Sequence, residues 1–104
     1  MDLTELTDRA MQTRAAFSRN GNPDWTPMQV MEGFVVDVGD LMRLAMAKSG
    51  ARHVEDLDRK FAHELSDCLW SVLVLARLHG VDLESEFQRT LTEIEAGLAA
   101  RRPA

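Results

Sequence analysis

The sequence predicts an all-α fold. Four helices are joined by short loops, with an antiparallel hairpin of the second and third at the centre. Three observations carry that expectation. Apolar residues recur at spacings of three and four in four segments, and no segment alternates with the period of a strand. Three of the segments run into a glycine beside a polar residue, at Asn20-Gly21, Ser49-Gly50 and His79-Gly80, where a left-handed residue ends a helix without steric cost. Helix starts are marked as well, by Asp2, Thr26-Pro27 and Asp82. The 104 residues are expected to form one domain, 1–104.

The first helix is expected over 2–19. Asp2 caps it, Glu5 stands where a capping box needs it, and Leu3, Leu6, Ala10 and Phe17 keep to one face. Asn22 to Trp25 reads as loop. The second helix is expected over 27–48, with Thr26 as cap, Pro27 in the first helical position and Gln29 closing a capping box. Its apolar stripe of Met28, Met31, Val35, Leu41, Leu44 and Met46 is wide enough to meet more than one neighbour. Residues 50–53 read as a tight connection. The third helix is expected over 54–79. It is charged at first and apolar nearly all round from Phe61, the pattern of a central helix. The fourth is expected over 82–100, burying Leu83, Phe87, Leu91, Ile94 and Leu98. The tail Arg101-Arg102-Pro103-Ala104 is expected to fray.

Composition narrows the function. A hydrophobic fraction of 45% supports a core, and a net charge of -5 argues against nucleic acid and anionic membranes as partners. No apolar run approaches the roughly 20 residues of a membrane helix. The polar, acidic start MDLTELTDRA does not read as a signal peptide, and the single cysteine, Cys68, fits a reducing compartment, so a cytoplasmic location is expected. Beside Asp67 in an apolar run, Cys68 reads as a small buried apolar residue rather than a catalytic thiol. Trp70, Val72, Val74 and the methionines of the second helix exceed what one small bundle can cover, so a homodimer is expected.

Four acids ask for an explanation. Asp37 and Asp40 lie three apart in FVVDVGDLM, and Glu64 and Asp67 three apart in HELSDCLW. Residues three apart share a helix face. Carboxylates in apolar surroundings need a charge partner or a metal. Asp37 and Asp67 are each 15 residues from position 52, and Asp40 and Glu64 each 12. An antiparallel hairpin turning there brings all four to one groove. Either pair alone is what a solvated face carries, and Lys60 can pair with Glu64 four residues on. Two pairs, apolar flanks and mirror placement together favour a metal site. An all-oxygen ligand set selects Mg²⁺ or Mn²⁺ over zinc and suits phosphate chemistry. A di-iron bundle would want Glu-x-x-His, which His53, His63 and His79 do not supply.

At these residues the chain resembles the MazG-like nucleotide pyrophosphohydrolases of the all-α NTP pyrophosphatase superfamily. That family carries EExxE on one helix and ExxD on the next. Val36-Asp37-Val38-Gly39-Asp40, followed by Leu41, falls where EExxE stands; Glu64-Leu65-Ser66-Asp67 is the ExxD, in the setting ELSDCLWSVLVLA. His79-Gly80-Val81-Asp82-Leu83-Glu84 looks like the family's lead-in to its last helix, and Trp25-Thr26-Pro27 like its lead-in to the metal helix. The likeness spans roughly residues 23–98. It implies a MazG-like bundle, forming homodimers or dimers of dimers. It implies Mg²⁺ held by Asp37, Asp40, Glu64 and Asp67, and a metal-activated water that hydrolyses a nucleoside triphosphate to the monophosphate and pyrophosphate. Trp25 could stack on a base or plug the end of the bundle, and Lys60 is among the cations that could meet phosphate, with Arg43, Arg77 and Arg89.

The chain departs from the family pattern. Val36 replaces the first Glu of EExxE, and two family glutamates are the shorter Asp37 and Asp40. Glu32, one turn earlier, could compensate for Val36. Thr90, Glu93, Ile94 and Leu98 stand where the family has basic phosphate-binding groups. A degenerate bundle that binds nucleotide or serves as a structural dimer without turnover is the alternative, and a phosphoribosyl-ATP pyrophosphohydrolase a third.

Overall fold

A computed structural model describes residues 1–101, and the expected fraying of Arg102, Pro103 and Ala104 lies outside the described residues. The described residues form four helices: α1 (Leu3–Arg19), α2 (Pro27–Lys48), α3 (Leu57–Leu78) and α4 (Leu83–Ala100). The fold is an all-α four-helix bundle.

Local chemistry sets most of the boundaries. The Asp2 carboxylate accepts a hydrogen bond from the Glu5 amide at 2.8 Å, which satisfies one of the donors that a helix start leaves free. At α2 the capping box is reciprocal: the Gln29 amide donates to Thr26 Oγ1 at 3.2 Å, and the Thr26 amide donates to Gln29 Oε1 at 2.9 Å. Asp82 caps α4 by accepting from the Ser85 amide at 3.3 Å. Gly50 and Gly80, both at positive φ, close α2 and α3 as expected.

One boundary differs. Helix α3 begins at Leu57 rather than at 54, because Asp56 sits in the left-handed region with φ 55° and ψ 39°. A right-handed helix cannot run through that conformation. The connection therefore spans residues 49 to 56 instead of 50–53. Lys48 and Asp58 form an ion pair across it.

The core lies where α1, α2 and α3 meet, around Ala10, Val30, Leu73, Val74 and Leu75, with Trp70 and Leu78 packed against it. Polar links fasten α1 to α3: Arg77 donates to Asp8 at 2.7 Å, and Trp70 Nε1 donates to Thr13 Oγ1 at 2.9 Å. As the sequence suggests, α3 is central: it packs along α2 and also against α1.

Two burial expectations fail. Helix α4 contributes no buried residue, and Phe87, Leu91, Ile94 and Leu98 are all exposed. It meets α1 at its first turn, where Thr4 donates to Glu84 at 2.8 Å. On α2, Leu44 is buried, but Met28, Met31, Val35 and Met46 are bare. The apolar flanks of the acids, Val35, Val36, Val38, Leu65 and Leu69, are likewise exposed rather than core. Helix α3 packs between α1 and α2, and among the described residues no element covers these faces. Among the described residues no helix is long and apolar enough to cross a membrane.

A candidate metal centre

Helices α2 and α3 pack against one another, and that contact assembles the acids. Asp37 and Asp40 of α2 and Glu64 of α3 each offer an oxygen, and the three oxygens lie within 4.8 Å of one another. Asp37 and Glu64 are half-buried and Asp40 is exposed. Glu64 Oε1 is closed off from solvent with no donor to satisfy it. A sealed carboxylate oxygen without a partner is costly. The Glu64 carboxyl titrates above the usual carboxylate range. Burial is the main cause, followed by a carboxyl–carboxyl hydrogen bond with Asp37 and by the charges of Asp37, Asp67 and Asp40. Such a hydrogen bond needs a proton between the two groups. Burial and the charges of Asp37, Glu64 and Asp67 push the half-buried Cys68 thiol up as well, which disfavours the thiolate.

The fourth acid stands apart from the three. Asp67 Oδ2 lies 3.2 Å from His63 Nε2, one turn back on α3, and the residue faces a cavity next to the cluster. The expected Lys60–Glu64 ion pair is not formed: Lys60 is exposed and makes no ion pair among the described residues. Of the other cations considered, Arg77 is held by Asp8 and Arg89 by Glu86. Arg43 is exposed.

The cavity occupies about 830 Å³ and its walls include Phe17, Trp25, Val36 and Trp70, with Asp37 and Asp67 on its acidic side. An aromatic slot bordering a carboxylate cluster can take a planar ring at one end and a charged group at the other. Gly33 positions the Trp25 indole. A Cβ at residue 33 would come within 2.8 Å of Trp25 Cζ3, so the ring lies directly on bare helix backbone. Gly33→Ala should therefore displace the indole while sparing the bundle, since alanine is the better helix former by about 1 kcal/mol. The check is tryptophan emission against melting temperature. Altered emission with an unchanged or higher melting temperature is expected, and unaltered emission would contradict this placement.

Arg14 is the site residue that spacing did not single out. Its Nη2 donates to the Trp25 carbonyl at 2.7 Å, tying α1 to the loop that carries the indole. Its Nε is buried without a partner on the cavity wall. A signal was present: residue 14 falls between Ala10 and Phe17 on the apolar face of α1, where a cation is out of place.

The raised Glu64 titration gives a pH dependence. A group whose carboxyl is pushed up in the folded state adds stability at acid pH and loses it as pH climbs through its folded value. The metal-free protein should melt at progressively lower temperature from acid pH toward neutrality, and Mg²⁺ should reverse that loss at neutral pH. Asp58, held low by Lys48, works in the opposite sense at acid pH, but it is fully exposed and screened. Melting curves against pH with EDTA or Mg²⁺ make the check; curves that coincide would remove the cation from the site.

Comparisons of the chain with protein-family profiles, with curated proteins and with solved structures return no match.

Proposed function

We propose that the chain is a Mg²⁺-dependent nucleoside-triphosphate pyrophosphohydrolase, releasing the monophosphate and pyrophosphate. One observation carries this reading: three carboxylates from two helices converge within 4.8 Å beside an aromatic-walled cavity. The donors fit a hard divalent cation. All are oxygens, and the sealed Glu64 Oε1 lacks the positive partner that a cation would supply. The sequence resemblance to the MazG-like enzymes through ExxD and Gly80-Val81-Asp82-Leu83-Glu84 points the same way.

Asp37, Asp40 and Glu64 would hold the cation, with Mn²⁺ as an alternative to Mg²⁺. Asp67 is the fourth acid of the set and approaches from the cavity wall. Bound there, the cation would neutralise phosphate oxygens and acidify a water for attack at phosphorus. Trp25 and Trp70 would flank the nucleobase, and Arg14 would keep Trp25 in place through its carbonyl.

The test is pyrophosphate release from a panel of NTPs and dNTPs, phosphoribosyl-ATP included, with Mg²⁺, with Mn²⁺ and with EDTA. Metal-dependent release from a nucleoside triphosphate is expected. Silence throughout would overturn the catalytic reading. One observation favours a second reading, a nucleotide-binding or structural dimer without turnover. Val36 stands in place of an acid, Arg77 and Arg89 are already paired, and among the described residues Arg14 is the one cation lining the cavity. It predicts a nucleotide-induced rise in melting temperature with no pyrophosphate.

A further inference from the structure

One buried hydroxyl on the cavity wall has no partner in the protein. Ser71 is 4% exposed and lines the cavity. A serine inside a helix can bond back to the carbonyl four residues earlier, as Ser66 does to Ala62 at 3.1 Å. The Ser71 hydroxyl makes no hydrogen bond among the described residues. Nor is it sealed off, as Glu64 Oε1 and Arg14 Nε are, so it is reached from the cavity. A buried hydroxyl is costly until something bonds it. Two other hydroxyls on the same wall are already engaged. Thr13 donates to the Ala10 carbonyl at 2.7 Å and accepts from Trp70 at 2.9 Å, and Ser18 donates to Asp24.

The place of Ser71 in the hairpin indicates what would reach it. Asp37 and Asp67 are each 15 residues from position 52, Gly33 and Ser71 each 19, and Val30 and Val74 each 22. Gly33 and Ser71 thus form the layer one turn beyond the acids, about 6 Å further along the two helices. Both line the cavity. Val30 and Val74, in the next layer, are 1% and 0% exposed and belong to the core. Gly33 lets the Trp25 indole rest on α2 in this layer. A ring stacked on that indole is therefore level with Ser71.

We infer that Ser71 is the specificity-determining residue of the cavity, bonding the edge of a purine remote from its sugar while the phosphates lie at the acids. This rests on the nucleotide reading above. Trp25, Trp70 and Phe17 can hold the faces of a ring, and faces do not distinguish one base from another. A hydroxyl both donates and accepts, so Ser71 satisfies an amino or an oxo group alike. It disfavours a ring that carries neither, which would leave the hydroxyl buried and unpaired. A one-ring base held by the same phosphate contacts is shorter and stops before this layer.

Trp25 and Trp70 are the two tryptophans of the chain and both line the cavity, so indole emission reports its occupancy. Stopped-flow titrations of the full chain in Mg²⁺, read before turnover, compare ATP, the triphosphate of unsubstituted purine riboside, and CTP. ATP should bind about tenfold more tightly than the unsubstituted purine, the worth of one buried hydrogen bond. CTP should bind more weakly than ATP. Ser71→Ala should weaken ATP about tenfold and the unsubstituted purine not at all, with the melting temperature unchanged or raised, because alanine is the better helix former. Pyrophosphate release by the variant should show a raised KM with kcat little changed, as for a lost contact remote from the reacting atoms. Equal binding of the two purines by the unmodified chain, or equal loss of both in Ser71→Ala, overturns the role of Ser71 and leaves the proposed function standing. CTP binding as tight as that of ATP overturns the purine assignment. No change in emission and no release with any of the three overturns both readings.

Discussion

Replacing Glu64 with Gln is expected to lower the proposed Mg²⁺-dependent pyrophosphate release by roughly 10³-fold while raising the melting temperature of the metal-free protein. The two effects have one origin. Glu64 Oε1 is sealed, unpartnered and crowded by Asp37. An amide removes the like charge and gives Asp37 a donor. The change takes away a ligand whose cation would stabilise the transferring phosphoryl charge by several kcal/mol, each 1.36 kcal/mol being tenfold in rate. Asp67→Asn should also lower release. Its effect on stability should be smaller, because its carboxylate lies outside the three-oxygen cluster and beside His63. Unchanged release in Glu64→Gln would sink the metal site. Lower stability without metal would show that the acids do not repel one another.

The second large effect is on folding. Leu44 is 2% exposed and among the largest fully buried side chains of the core. Leu44→Ala is expected to cost about 2–5 kcal/mol, the range for a buried leucine whose cavity does not collapse. For a domain of this size that is a fall of 10 °C or more in melting temperature. Thermal denaturation at two protein concentrations provides the check and a contrast. The Leu44→Ala loss should appear at both. Ile94→Ala, at a residue 54% exposed within its chain, should cost far less at either concentration unless a second chain covers it, in which case its effect grows on dilution. A Leu44→Ala shift of a degree or two would mean that the α2 core is looser than its burial indicates.

Much of the fold was legible because local chemistry sets it. The Thr26–Gln29 box, Pro27, Asp82 and the glycines at 50 and 80 each fix a boundary within a few residues, and the structure uses every one. The start of α3 was not legible, because a non-glycine residue in the left-handed region leaves no compositional trace at Asp56. Nor was the fate of the apolar stripes. Periodicity shows that Phe87, Leu91, Ile94 and Leu98 want cover, and it cannot tell whether the cover comes from the same chain. The site divided in the same way. The spacing of Asp37, Asp40 and Glu64 carried enough information to bring them together, since helix pitch converts residue separation into height. The pairing of Asp67 with His63 depends on rotamers, and the role of Arg14 on a loop folding back over α1, neither of which a one-dimensional pattern encodes.

The exposure of α4 also sets how the chain opens. Its backbone hydrogen bonds beyond Ser85 can break and re-form without disturbing Val30 or Val74, so in a lone chain these amides exchange with solvent at almost no free-energy cost. The amides of α3 around Leu73 to Ala76 exchange only when the whole core opens. Arg89 is exposed on that outer helix, and a fragment ending there keeps α2 and α3, which carry the acids.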